Sequence, residues 1–165
     1  MKRNPTKTIF FIYCGILAWT VIFKMAVSIE EIRNLVGTRS LNLIPFDYRG
    51  GIPRILIRET AMNVLIFIPL GCYLKMLELP GGKAILYGCV FSFAAELLQL
   101  LLAIGVCDVT DLLANTLGTA MGVWFCILIR KLCADKQKAD RYINTAAALT
   151  LLLFFAMVLL LEIAN

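Results

Sequence analysis

The chain has 165 residues, 61% of them hydrophobic, and a net charge of +5. That apolar share exceeds the roughly 45–50% usual for soluble domains, so a bilayer rather than a water-facing fold must hide it. There is no histidine, which removes the commonest metal ligand and the commonest general base at neutral pH.

Taken in chain order, the first apolar run covers residues 8–29 and is interrupted only by Lys24. It is long enough for a hydrocarbon core of ~30 Å, which takes ~20 helical residues. Lys2, Arg3 and Lys7 before it, and Ala26-Val27-Ser28 at its end, also fit a signal peptide. The intruding Lys24 and the polytopic remainder favour a retained span.

The connection 30–60 is the longest. Leu41, Leu43, Ile44, Phe46, Tyr48, Ile52, Ile55, Leu56 and Ile57 are too many apolar residues to leave in water. Pro45, Gly50, Gly51 and Pro53 interrupt any helix through its centre, so an interfacial or re-entrant segment is expected. Its basic residues are all arginine, which fits local pairs with Glu30, Glu31, Asp47 and Glu59 or bidentate contacts with lipid phosphate.

Further spans are expected at about 61–79, 84–103, 108–129 and 143–163, giving an all-α, polytopic bundle of about five helices in one domain. Pro69 should kink the second of these. The last has Asn144, Thr145, Thr150 and Glu162 as its polar residues, mostly near its ends, and reads as a peripheral anchor. The six cysteines include no C-x-x-C spacing and read as small buried apolar residues. With the N-terminus inside, ten basic residues flank the inner face against five on the outer. The positive-inside rule therefore predicts a cytoplasmic N-terminus and an outer C-terminus.

The third span carries Glu96 and Gln99 on one face with Ser92. A carboxylate there is expensive, at least ~2.5 kcal/mol on insertion scales, and marks either a functional site or a buried pair, with Lys24 the first candidate partner. Asp108, Asp111, Asn115, Gly118 and Gly122 recur on one face of the fourth span. Asp108 and Asp111 could serve as helix cap and first-turn acid, but capping does not explain Asn115. Gly118-x-x-x-Gly122 permits close approach by another helix. With Asn42, Arg58, Glu59 and Asn63, these polar residues gather at one end of the bundle, the expected outer interface. Asn42, Arg58, Asn63, Glu96, Gln99, Asp108, Asp111 and Asn115 are the candidate ligand-binding residues.

Several ordered motifs run through nearly the whole chain. They are Trp19-x-Val21-x-Phe23-Lys24, Arg39-Ser40-Leu41-Asn42-Leu43-x-Pro45-Phe46 and Asn63-Val64-x-Ile66-Phe67-Ile68-Pro69-x-Gly71. Glu96-x-x-Gln99 follows, then Ala103-Ile104-Gly105-x-x-Asp108-x-Thr110-Asp111-x-x-x-Asn115-Thr116-x-Gly118. In these the chain resembles the VanZ-like membrane proteins. The resemblance implies a bacterial plasma-membrane protein that lowers susceptibility to the glycopeptide antibiotic teicoplanin, and it implies no established reaction.

Three activities fit these residues. A binding protein would engage an acylated glycopeptide or a lipid-linked envelope precursor. An enzyme would modify a lipid-linked substrate, although histidine, a nucleophile elbow and a phosphate loop are missing from the sequence. A transporter would need polar residues reaching both faces, and here they cluster at one. Binding is the expectation, with membrane lipids as partners and no metal, cofactor or nucleic acid; the oligomeric state is open.

Overall fold

The structure is a computed structural model that describes residues 5–23, 30, 33–34, 36–47, 53–133 and 135–164. Five long helices are seen among these residues: α1 (Pro5–Ile22), α2 (Pro53–Met76), α3 (Gly81–Leu102), α4 (Val109–Leu132) and α5 (Lys136–Ala164). Within them, Leu56–Met76, Gly81–Leu102 and Val109–Leu132 are long and apolar enough to cross a membrane, and Lys7–Ile22 is a shorter apolar helix.

Helix α2 starts eight residues before the expected 61. Pro53 is its first residue, where the missing N–H costs no intrahelical bond and the ring presets φ. Residues 53–60 are therefore the first turns of a helix, and Thr60 Oγ1 donates back to the Leu56 carbonyl at 2.9 Å. Pro69 lies inside α2 without ending it.

The helical bundle carries one feature outside the all-α expectation. Strand β1 (Thr38–Asn42) pairs in parallel with β2 (Ile104–Asp108), from Thr38 opposite Ile104 to Asn42 opposite Asp108. Within the expected interfacial or re-entrant loop, residues 38–42 form a strand laid against the α3–α4 connection. Parallel pairing needs a long crossover, here the α2–α3 helical hairpin. Pairing also satisfies backbone groups that would be costly at a membrane surface.

Arg39 fixes the strand to the end of α3: its Nε donates to the Leu100 carbonyl at 2.9 Å and Nη2 to that of Leu101 at 3.1 Å. These carbonyls belong to the last turn, which lacks intrahelical partners and attracts cations. Ala103, in the left-handed region at φ 54°, ends α3, and its carbonyl accepts the Gly37 N–H at 2.8 Å.

The closest helix contact is between α2 and α4. A Cβ at Gly118 would meet the Val64 carbonyl, and one at Gly122 the Ile68 carbonyl. Their backbones touch because no side chain intervenes, the role expected of Gly118-x-x-x-Gly122. Tyr13, Leu17, Phe67, Tyr73 and Cys126 fill the core around this seam.

At the opposite end from the ladder, Arg130 bridges Asp140 (2.8 Å) and Glu78 (3.2 Å), while Lys136 meets Glu78 at 2.7 Å. This cluster joins the α2–α3 turn to the end of α4 and the start of α5. The two ends of the bundle thus differ: one holds the ladder, the other an ion-pair latch.

Candidate functional site

The N-terminus of α4 organises the ladder end. Asp108 is its N-cap in an extended conformation (φ −118°, ψ 124°), and its Oδ1 accepts the Thr110 N–H at 2.7 Å. The same carboxylate does more than cap. Its Oδ2 accepts Asn42 Nδ2 at 3.0 Å, and the Asp108 backbone N–H donates to Glu96 Oε2 at 2.9 Å. One residue therefore ties β1, α3 and α4 together.

Asn42 Oδ1 in turn accepts the Ile44 N–H at 3.2 Å, and Thr110 Oγ1 accepts the Phe46 N–H at 3.1 Å. Asp111, in the first turn of α4, accepts Asn63 Nδ2 at 2.7 Å and links α4 to α2. Both acids thus occupy the positions capping predicts, and both also make contacts between elements.

A cleft of about 210 Å³ opens among these elements. Asp47, Glu59, Thr60, Asp108, Thr110 and Asp111 are its polar lining residues. Phe46, Leu56 and Val106 form its apolar walls. Around it Leu41, Leu43, Ile44, Phe46 and Ile57 are each at least half exposed. The arrangement can accept hydrogen bonds from a polar head and offer apolar surface beside it.

The eight candidate residues do not form one shell. Asp108 and Asp111 line the cleft; Asn42, Asn63 and Glu96 stand directly behind them through the bonds above. Asn115 lies one turn deeper, fully buried, with Nδ2 donating to Ser92 Oγ at 2.9 Å. Gln99 points elsewhere, its Nε2 donating to the Val21 and Ile22 carbonyls at 2.8 and 3.2 Å, and so holds the end of α1. Arg58 is exposed on α2 and its neighbour Glu59 lines the cleft instead.

Glu96 is 3% exposed and its Oε2 accepts the Asp108 amide N–H; Lys24, its expected partner, lies outside the described residues. Thr60, Thr110 and Asp47 line the cleft without being among the candidates that the sequence singles out for binding. The i, i+3 spacing of Thr60 and Asn63 was the available signal for the first. Nothing local announced Asp47. Among the described residues, no group of three or more His, Cys, Asp or Glu is arranged to hold a metal ion.

A family model described as VanZ/LLP1 matches residues 10–130. The chain is also 34% identical over 155 residues to Protein VanZ of Enterococcus faecium, covering 93% of this chain and 92% of that one. No solved structure matches significantly. The family match takes in the ladder and the cleft and stops before α5.

Proposed function

Because this chain belongs to the VanZ/LLP1 family, we propose that it is a multi-pass protein of the bacterial plasma membrane that lowers susceptibility to teicoplanin. It acts by binding: the cleft engages the polar head of an acylated ligand or envelope lipid and reduces antibiotic binding at the cell surface. The observation that carries this reading is the convergence of the residue 46–47 segment, α2, β2 and α4 on one polar cleft with exposed apolar residues at its rim. A donor-rich head suits the carboxylates and hydroxyls. An acyl chain suits the rim, since each buried CH₂ contributes ~0.8 kcal/mol.

The cleft faces outward on this reading, with the N-terminus cytoplasmic and the C-terminus outside. Support comes from the latch end, around which Lys75, Lys83, Arg130, Lys131, Lys136, Lys138 and Arg141 flank the helix ends, as cytoplasmic boundaries do.

The experiment compares susceptibility to teicoplanin and to its deacylated core in one strain, with and without the protein. Protection is expected against the acylated drug and not the core, and Asp111→Asn should abolish it at unchanged protein level. Equal protection against both drugs removes acyl recognition and points to a general change in the envelope. For orientation, impermeant thiol labelling of intact cells should modify Gly50→Cys and spare Gln137→Cys in a background without the native cysteines. The reverse pattern turns the cleft inward and ends the proposal.

A further inference from the structure

Residues 41–46 leave β1 and run past the N-terminus of α4 with their apolar side chains outward. Leu41 is 54% exposed, Leu43 68%, Ile44 52% and Phe46 50%. Four such residues in succession, broken only by Asn42 and Pro45, are costly in water. Their backbone, however, suits an apolar medium. The Ile44 N–H is bound to Asn42 Oδ1, Pro45 has no N–H, and the Phe46 N–H is bound to Thr110 Oγ1. From 44 to 46 every backbone donor is accounted for, so no N–H is stranded where the segment meets the acyl boundary, and the carbonyls can still reach headgroup water.

The height of this segment in the bundle agrees. Arg39 fastens β1 to the last turn of α3, next to Leu101 and Leu102, which are 61% and 57% exposed on a helix long and apolar enough to cross a membrane. Ile57 on α2 and Leu113 on α4 are also exposed near this end. The outward face of residues 41–46 therefore continues the apolar belt of the spans.

Phe46 occupies both sides of the boundary. The residue lines the cleft while half its surface is exposed. Its backbone is left-handed at φ 56°, a conformation a bulky residue keeps only when its surroundings hold it there, as the Thr110 contact does.

We propose that residues 41–46 are seated at the acyl boundary of the leaflet, with the Phe46 ring as the partition between lipid and cleft. The cleft is then loaded sideways from the bilayer, and its ligand is an amphiphile whose acyl chain already lies in that leaflet. This rests on the binding reading above and goes beyond it in fixing the route and the ligand's anchoring.

The test places tryptophan separately at Leu43→Trp, Ile44→Trp and Phe46→Trp, with Trp19→Phe and Trp124→Phe throughout. Each protein is reconstituted in vesicles of phosphatidylglycerol and phosphatidylcholine whose chains are brominated close to the headgroup. Blue-shifted emission, loss of most intensity to brominated lipid and resistance to acrylamide are expected at all three positions. Gln137→Trp on the same background reports folding of the latch end and serves as the water-exposed reference. Acrylamide quenching at 43 and 44, equal to that at 137, overturns the seating. Lipid quenching at 43 and 44 beside an acrylamide-accessible 46 overturns sideways loading. Susceptibility of cells carrying Asp111→Asn separates the two readings. Protection lost there with a wet 41–46 segment leaves binding standing and removes this proposal. Protection kept there with lipid quenching at all three positions does the opposite for the seating.

Discussion

Replacing Gly122 by alanine should loosen the α2–α4 seam on which the cleft is built. A Cβ at that position would overlap the Ile68 carbonyl oxygen and fall 2.9 Å from its carbon and 3.0 Å from Cys72 N. These are backbone atoms inside a helix and cannot rotate away, so the helices must part. A gap of ~0.5–1 Å already forfeits a quarter to a half of each dispersion contact along the seam. Over-packing of this kind costs about 1–3 kcal/mol. Alanine regains about 1 kcal/mol of helix propensity, leaving a net loss of up to about 2 kcal/mol, whereas Gly15→Ala takes the same propensity gain without the over-packing. Gly15 supplies the control, because a Cβ there meets nothing within 4 Å. Gly15→Ala should be neutral or stabilising. Thermal unfolding of the detergent-solubilised proteins, followed by far-ultraviolet circular dichroism, compares the pair directly. Widening of the seam should also strain the 2.7 Å Asn63–Asp111 bond about 16 Å up the helix, and protection should fall with the midpoint. A Gly122→Ala protein that melts no lower than Gly15→Ala would refute the reasoning.

Three other outcomes follow from the contacts. Asp108→Ala should destabilise by about 1 kcal/mol through the cap alone, and Asp108→Ser, which keeps a cap oxygen, should lose less; comparison with Asn42→Ala by thermal unfolding isolates the strand contact. Ser92→Ala should cost about 1–3 kcal/mol because it strands the Asn115 amide in the interior, and a cycle with Asn115→Leu should be non-additive; additive costs would mean the pair is not coupled. At the latch, the hydrogen bond from Lys136 holds the Glu78 carboxyl below its ordinary range. A depressed carboxylate contributes stability above its unfolded value and loses it as pH falls through the folded one, so Glu78→Gln should remove an acid-side decline in thermal midpoint.

Much of the site's chemistry was legible because it is local. The recurrence of Asp108, Asp111 and Asn115 at three and four residues follows from helix geometry alone and puts them on one face. The cost of Glu96 in an apolar run marks it from sequence for the same reason. Asp108 as N-cap was equally readable, since the cap bond to Thr110 spans two residues. Gln99 shows where such reading stops. Its spacing from Glu96 placed both on one face, but whether it meets the cleft or the end of α1 depends on which neighbour packs there.

Hydropathy and periodicity determined the helices, their order and the end of the bundle where polar residues collect, because each signal is carried by residues within a few turns of one another. Only the tertiary structure decided that residues 38–42 are a strand. Its partner lies 66 residues away, at Asn42 to Asp108, and is delivered by folding the α2–α3 hairpin back on itself. Thr38 to Asn42 alone contains no alternation that separates strand from loop. The pairing arises because the backbone groups of β2, bared where α3 stops at Ala103, need partners, and residues 38–42 supply them.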